Sequence, residues 1–169
     1  KDFTAEDSGI FVRYDELAGM VKGDTGIEGL KIDFNAGVRV AVPAGDWQVR
    51  ITDADSGQVF FDGQASETVL ISMEQYFIRW QIEVKKAGQL VFAHTYDAAG
   101  QTVCFVLEGD VLGDIIMLLP YLRAFVQQWK CRGVILNKPA FREILANYYP
   151  EFTVVEEFPE DAYATYHIG

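Results

Sequence analysis

The sequence predicts an α+β chain of two parts, a small antiparallel β module followed by the first half of a parallel α/β domain. Over about residues 1–99, short strands of alternating apolar and polar residues are separated by turn sequences roughly every 8–12 residues, as in a small sandwich or barrel. Over about residues 100–169, the order strand–helix–strand–helix–strand is typical of a parallel sheet. A length of 169 residues accommodates two small domains.

The β module begins after a mixed segment, in which Asp15–Val21 is a candidate short helix and residues 1–28 have no assignable role. Trp47–Thr52 shows the strand pattern most simply, because its apolar and polar side chains alternate and a turn sequence precedes it. The predicted strands are Val38–Val42, Trp47–Thr52, Gln58–Phe61, Thr68–Ser72, Tyr76–Lys85 and Leu90–Tyr96.

The second part opens with Thr102–Leu107, whose continuous apolar character predicts a strand covered on both faces. Asp114–Trp129 has apolar residues at helical spacing, and Pro120 in its middle predicts a kink or a break. A second strand at Val134–Leu136, a helix opened by Asn137-Lys138-Pro139 and a third strand at Phe152–Val155 complete a Rossmann-like pattern.

Composition excludes several classes of function. Half of the residues are hydrophobic, which predicts a packed core, and the net charge of −11 disfavours nucleic acid and anionic membranes as partners. We expect no membrane span, because no apolar run approaches about 20 residues.

Cys104 and Cys131 match no metal or redox spacing, so we expect no metal site and a reducing compartment. The chain lacks an initiator Met and a signal peptide, as a trimmed or partial sequence would.

The segment between the buried strand and the helix is the best candidate site. Gly109-Asp110-Val111-Leu112-Gly113-Asp114 places a carboxylate at the carboxyl end of a strand, where parallel α/β folds bind ligands. Gly109 and Gly113 would permit a tight turn and close approach of a ligand to the backbone. Asp114 is the first candidate for a functional carboxylate here and Asp110 the second, although either could simply cap the helix.

Other motifs are absent or ambiguous. The glycines match neither G-x-G-x-x-G nor the phosphate-binding loop with its lysine, so the turn does not indicate a dinucleotide or a nucleoside triphosphate. Near the end of the chain, Tyr163 and Tyr166 could line the crevice opposite Asp114 as substrate-binding residues. They could equally begin another strand or helix.

Gly113-Asp114-Ile115-Ile116-Met117-Leu118-Leu119-Pro120 resembles the Gly-Asp…Pro signature that opens the first helix of bacterial heptosyltransferases with the GT-B fold. Further segments, in the expected order from about Gly29 onward, resemble the autotransporter-type protein O-heptosyltransferases. These segments are Lys31–Val40, Gly45–Arg50, Asp53–Gly57, Tyr76–Val84, His94–Asp97 and Tyr148–Pro150.

The resemblance implies a bacterial, cytoplasmic enzyme that transfers heptose from ADP-heptose to serine hydroxyls of an autotransporter adhesin. In that family the aspartate of the signature, here Asp114, is the general base, and a C-terminal half binds the nucleotide sugar. That half and the family's iron-binding cysteine cluster are expected beyond this chain. The chain alone is therefore expected to hold no cofactor and to be inactive by itself, as the acceptor-side portion of the enzyme.

An alternative function remains open at this point. The β module could hold a protein partner or promote homo-oligomerisation, and the α/β part could merely support it. The chain would then be a non-catalytic binding or assembly module. What favours this alternative is that no nucleotide-sugar half is found within the 169 residues.

Overall fold

A computed structural model describes residues 10–13, 18–72, 77–109, 111–137 and 139–168. The chain divides into two compact units, Lys1–Tyr96 and Asp97–Gly169. The first contains antiparallel sheets and the second a parallel sheet with helices, so the predicted fold class is confirmed. Asp110 and Tyr76, which the sequence singled out, lie outside the described residues.

The first unit is built from antiparallel strand pairs. Its strands are β1 (Ile10–Arg13), β2 (Lys31–Asn35), β3 (Val38–Val42), β4 (Trp47–Asp53), β5 (Val59–Ala65), β6 (Thr68–Ser72), β7 (Trp80–Lys86) and β8 (Gln89–Thr95). One sheet has the strand order β1-β6-β3-β2 and the other has the order β5-β4-β7-β8. The helix predicted at Asp15–Val21 is reduced, among the described residues, to a 3-10 turn at Ala18–Met20.

Alternation explains why these segments are strands. In β4, Trp47, Val49 and Ile51 are buried while the intervening side chains are more exposed, because successive side chains of a strand point to opposite faces. Phe34 of β2 packs against His94 of β8, with ring centroids 5.9 Å apart, and meets the ring of Tyr96, the residue after β8, edge-on at 4.8 Å. The first unit thus has its own aromatic and aliphatic core.

The second unit is a parallel α/β arrangement. Its elements are β9 (Thr102–Leu107), α1 (Leu112–Trp129), β10 (Arg132–Leu136), α2 (Arg142–Tyr148, after a 3-10 turn at Pro139–Phe141), β11 (Thr153–Val155) and β12 (Ala162–Ile168). All of the pairings are parallel, in the order β12-β9-β10-β11. The Tyr163–Tyr166 segment is therefore part of a strand.

Helix α1 packs on this sheet through an apolar stripe. Ile115, Leu119 and Leu122 are buried, and the ring of Phe125 meets that of Phe105 in β9 edge-on at 5.4 Å. Gly133 allows β10 to lie close to its neighbours, since a Cβ there would stand 2.6 Å from the Phe152 ring. Any larger residue at this position would displace packed side chains.

Of the kink or break predicted at Pro120, the break is wrong. The helix runs without interruption from Leu112 to Trp129, with Pro120 exposed inside it. A proline removes one main-chain hydrogen bond and crowds the preceding turn, a cost of about 3 kcal/mol. Burial of the three aliphatic side chains Ile115, Leu119 and Leu122 contributes roughly 1.5–3 kcal/mol each, which exceeds that cost.

Candidate functional site

The order of the parallel strands defines where a ligand would bind. From β9 the chain passes to β10 on one side, whereas β12 lies on the other side of β9. Open parallel sheets bind ligands in the crevice at the carboxyl ends of such a pair of strands. Here that edge is formed by the residues after Leu107 and by the end of β12, where the Glu108 N–H donates to the Ile168 carbonyl at 3.3 Å.

Asp114 lies in the first turn of α1, at this edge. Val111 is the N-cap residue, with extended backbone and no capping side chain, so Asp114 is the third residue of the helix. The interpretation of Asp114 as an N-cap is therefore wrong. Its carboxylate is exposed and forms no hydrogen bond or ion pair with any residue that the structure describes. The positive end of the helix dipole favours a carboxylate here.

The sequence suggests that Gly109 and Gly113 permit a tight turn, but the backbone does not require glycine at either position. Neither Gly109 nor Gly113 has the left-handed backbone that only glycine adopts readily. A Cβ on Gly113 would meet nothing within 4 Å, and one on Gly109 would make only ordinary contacts, such as 3.9 Å to Ile115 Cγ1. Other residues could therefore adopt the backbone of this turn. The space beside Gly113 is open.

The structure does not bring Tyr163 and Tyr166 to Asp114. Tyr163 is at the amino end of β12, where its hydroxyl accepts a hydrogen bond from the Asp97 N–H at 2.9 Å. Burial raises the pKa of Tyr163 to about 12. Tyr166 is buried in the core, with its ring 5.5 Å from that of Phe125. The expectation that they line a crevice opposite Asp114 is corrected accordingly. Tyr163 lies at the amino edge of the sheet, and the ring of Tyr166 faces α1.

A glutamate–histidine pair that the sequence did not reveal lies at the carboxyl edge. Glu108 follows β9 directly and His167 is near the end of β12, and the Glu108 carboxylate lies 2.9 Å from His167 Nδ1. Both side chains are accessible to solvent, so the pair is a surface feature that a ligand could contact. The sequence carries only a weak signal for this pair, because 59 residues separate the two partners.

Asn137 is the third polar side chain at this edge that sequence reasoning missed. It follows β10 and is 8% exposed. Its Nδ2 donates to the Leu107 carbonyl at 2.9 Å, and its main-chain N–H donates to the Val155 carbonyl at 3.4 Å. The residue therefore joins the carboxyl ends of β9, β10 and β11. Its Oδ1 is buried and accepts no hydrogen bond from the part of the chain that the structure describes.

The two cysteines are structural. Both thiols are free and buried, and burial raises the pKa of Cys104 to about 11 and the pKa of Cys131 in the same direction. Thiols that resist ionisation are poor metal ligands. Within the described ranges, no group of three or more His, Cys, Asp and Glu side chains is arranged to hold a metal ion. The side chains in these ranges do not fit an iron site.

Comparison with known proteins shows what this chain is similar to. Residues 26–88 match the model of the N-terminal domain of the glycosyltransferase TibC. The chain is 35% identical over 148 residues to the inactive autotransporter heptosyltransferase BimC of Burkholderia thailandensis. It is 32% identical over 149 residues to the autotransporter heptosyltransferase TibC of Escherichia coli. The alignment with BimC covers 86% of this chain and 35% of BimC. The alignment with TibC covers 85% of this chain and 37% of TibC.

Solved structures agree with these sequence matches. The iron-containing dodecameric glycosyltransferase TibC from enterotoxigenic E. coli superimposes with a TM-score of 0.81 at 28% identity, over 93% of this chain and 41% of TibC. The same enzyme crystallised with ADP-D-β-D-heptose gives a TM-score of 0.80 at 29% identity, over 88% of this chain and 40% of TibC. The iron, the dodecameric assembly and the complex with ADP-D-β-D-heptose are properties of TibC.

The β module and the parallel α/β unit together resemble the N-terminal part of a bacterial glycosyltransferase, TibC. More specifically, the chain is related to the N-terminal part of the autotransporter heptosyltransferases, as the sequence motifs indicated. It spans about a third of the length of the curated relatives that it matches. No helix in the described ranges is both long enough and apolar enough to cross a membrane.

Proposed function

We propose that this chain is the acceptor-side part of a heptosyltransferase, in which Asp114 is the general base. The observation that supports the role of Asp114 is its position, an exposed carboxylate in the first turn of α1 at the carboxyl edge of β9. The relationship to the autotransporter heptosyltransferases supplies the reaction. The proposed acceptor is a serine hydroxyl of an autotransporter adhesin, and the proposed donor is ADP-heptose.

The proposed step is a displacement at the anomeric carbon. The serine oxygen forms a bond to that carbon, the bond from the carbon to the ADP oxygen breaks with its electron pair, and ADP leaves. Asp114 takes the hydroxyl proton as the new bond forms, a contribution on the order of 10²–10⁴ in rate. The nucleotide sugar would be bound by the C-terminal part that the relatives have, so this chain contributes the acceptor surface and the base.

Asp114 lies at the positive end of the α1 dipole, on an open edge of the sheet from which bound substrates would exclude water. Exclusion of water strengthens the interaction between the carboxylate and the hydroxyl proton.

Cell location and assembly are proposed on the same basis. Two free buried cysteines are suited to a reducing compartment, which favours the bacterial cytoplasm, where we place the protein. TibC is described as dodecameric. We therefore propose that this protein is also a homo-oligomer.

A second function is favoured by one comparison. BimC, 35% identical over 148 residues, is described as an inactive autotransporter heptosyltransferase. A chain with this fold could therefore bind a protein or promote assembly without catalysis. Asp114 would then be an ordinary first-turn carboxylate, and the carboxyl edge would have no bound sugar nucleotide.

One experiment separates the two. The longest form that the gene encodes, called the full-length form below, is incubated with ADP-heptose and serine-containing adhesin peptides. Mass spectrometry then detects addition of one heptose residue, and light scattering gives the oligomeric state. We expect heptose on serine. Peptide binding or oligomerisation without transfer would favour the non-catalytic module, and transfer to a matched peptide whose serines are alanines would contradict the proposed acceptor.

A further inference from the structure

The amide of Asn137 lies across the ends of three neighbouring strands. Its main-chain N–H is bonded to the last residue of β11, and its Nδ2 is bonded to the last residue of β9. These two bonds fix the side chain at the carboxyl edge of the sheet. Because Nδ2 points to Leu107, the Oδ1 atom on the other branch of the amide points away from the Leu107 carbonyl.

Only one side-chain hydrogen bond of this amide, from Nδ2, is made to a described residue. A carboxamide has two donor hydrogens and an acceptor oxygen, and buried polar atoms in native proteins nearly always have partners. Asn137 is 92% buried, since 8% is exposed, yet Oδ1 accepts nothing from the residues that the structure describes. A buried acceptor left without a donor is destabilising. A donor that is not among the described residues would therefore stabilise this amide.

We propose that Asn137 is a ligand-binding residue, whose Oδ1 accepts a hydrogen bond from a neutral N–H or O–H group of a molecule bound at the carboxyl edge. The amide oxygen carries no net charge, so it can accept from a neutral donor without a charge partner. Glu108, which directly follows the Leu107 to which Asn137 is bonded, differs in offering a carboxylate. Asn137 is a positioning residue, because it takes no proton in the reaction.

The inference rests on the proposed function for the identity of the molecule. Two sources carry the required chemistry, a main-chain N–H of the acceptor polypeptide and a hydroxyl of the nucleotide sugar. The reacting serine hydroxyl is not the donor, since its single proton goes to Asp114. The two sources are distinguished by which Michaelis constant changes when Asn137 is altered.

The test compares Asn137→Leu with Asn137→Asp in the full-length form. Leucine has nearly the same shape but removes both the donor and the acceptor, whereas aspartate keeps an oxygen acceptor and loses the bond to Leu107. Asn147→Leu, at an exposed position of α2, is the matched control. Binding of a serine-containing adhesin peptide and of ADP-heptose is measured by calorimetry, and KM and kcat are measured by transfer.

We expect Asn137→Leu to weaken the binding of one of the two molecules about tenfold or more, with the effect in KM rather than kcat. Asn137→Asp is expected to retain binding to within about threefold, although both variants lower the melting temperature. A change for the peptide alone identifies the acceptor as the source, and a change for ADP-heptose alone identifies the sugar. If binding of both molecules is unchanged in Asn137→Leu, the proposal is overturned.

A structural measurement keeps this inference separate from the proposed function. Crystals of the full-length form are grown with each probe in turn. A donor atom of either probe at hydrogen-bond distance from Asn137 Oδ1 supports the inference, even if no heptose is transferred. Oδ1 bonded only to water or to the protein's own groups in both crystals would overturn it, even if heptose transfer is observed.

Discussion

Three polar residues at the carboxyl edge have three different environments, and these suit different tasks. Asp114 is exposed and without a partner among the described residues, so a substrate can reach it. Glu108 is paired with His167 on the surface. Asn137 is buried and holds the strand ends together. An exposed carboxylate can exchange protons with a bound hydroxyl, whereas a buried amide can fix a position but not titrate.

Tyr163 provides a test of local burial at the other edge of the sheet. Its pKa is about 12 because of burial, whereas an unfolded tyrosine ionises near pH 10. A raised pKa contributes stability that is complete below about pH 10 and is lost as the pH rises through about 12. We expect Tyr163→Phe, which also removes the acceptor for the Asp97 N–H, to lose this pH-dependent part of the stability.

The measurement is urea unfolding followed by circular dichroism between about pH 9 and about pH 11.5, a range chosen around the ordinary tyrosine pKa. Tyr121→Phe is the control, because Tyr121 is 75% exposed on α1. At pH 9 we expect Tyr163→Phe to be less stable by about 0.5–1.5 kcal/mol, the value of one hydrogen bond. A difference from wild type that does not shrink as the pH rises would contradict this account.

Gly113 tests whether the open space beside it is used by a ligand. Its backbone is ordinary and a Cβ would meet nothing within 4 Å, so Gly113→Ala should stabilise the protein by up to about 0.5–1 kcal/mol. We nevertheless expect kcat/KM for heptose transfer to fall about tenfold, as when about 1.4 kcal/mol of binding is lost. Gly19→Ala, also in open space, is the control. Unchanged transfer by Gly113→Ala would show that no ligand approaches this backbone.

At the scale of elements, α1 shows that one unfavourable residue does not end a helix whose buried face is well packed. Pro120 lies on the exposed side, and the buried stripe passes it at Leu119 and Leu122. Pro120→Ala restores the missing main-chain hydrogen bond. We expect the free energy of unfolding to rise by as much as about 3 kcal/mol.

Denaturant unfolding measures this change, and Met117→Ala, at a residue 70% exposed on the same helix, is the control. For the control we expect a change within about 0.5 kcal/mol. If Pro120→Ala left the stability unchanged or reduced it, the helix would be deriving some benefit from proline that the packing of α1 does not explain.

The elements also show what can be read from the sequence and why. Three strands have the predicted bounds, namely Val38–Val42, Thr68–Ser72 and Thr102–Leu107. Their bounds can be predicted because burial on one or both faces of a strand produces a local apolar pattern. Asp114 was found in the same way, since a carboxylate after a buried strand is a local signal. Whether Asp114 acts as a base stays a prediction.

The rest of the site depended on contacts between distant segments. Asn137 meets Leu107 across 30 residues and Glu108 meets His167 across 59 residues. No local pattern predicts such pairs, because they arise only when parallel strands are set side by side. For the same reason no local pattern distinguishes Tyr163 from Tyr166, although the register of β12 with β9 places Tyr163 at the amino end and Tyr166 beside Phe105.

For the whole molecule, the chain accounts for about a third of the length of its heptosyltransferase relatives. Its two units supply a β module and a parallel sheet whose edge has the base and the positioning amide of the proposed reaction. By this account, the remainder of the enzyme supplies the nucleotide-sugar site. The catalytic claim is therefore to be tested in the full-length form.

The most direct test is the rate of heptose transfer by Asp114→Asn in the full-length form. Asparagine keeps the shape and removes the proton acceptor, so kcat should fall by a factor on the order of 10²–10⁴ while the fold is retained. Glu143→Gln, the equivalent change of the acidic residue in the first turn of α2, should keep the wild-type rate. A well-folded Asp114→Asn protein that transfers heptose at the wild-type rate would contradict the assignment of Asp114 as the base.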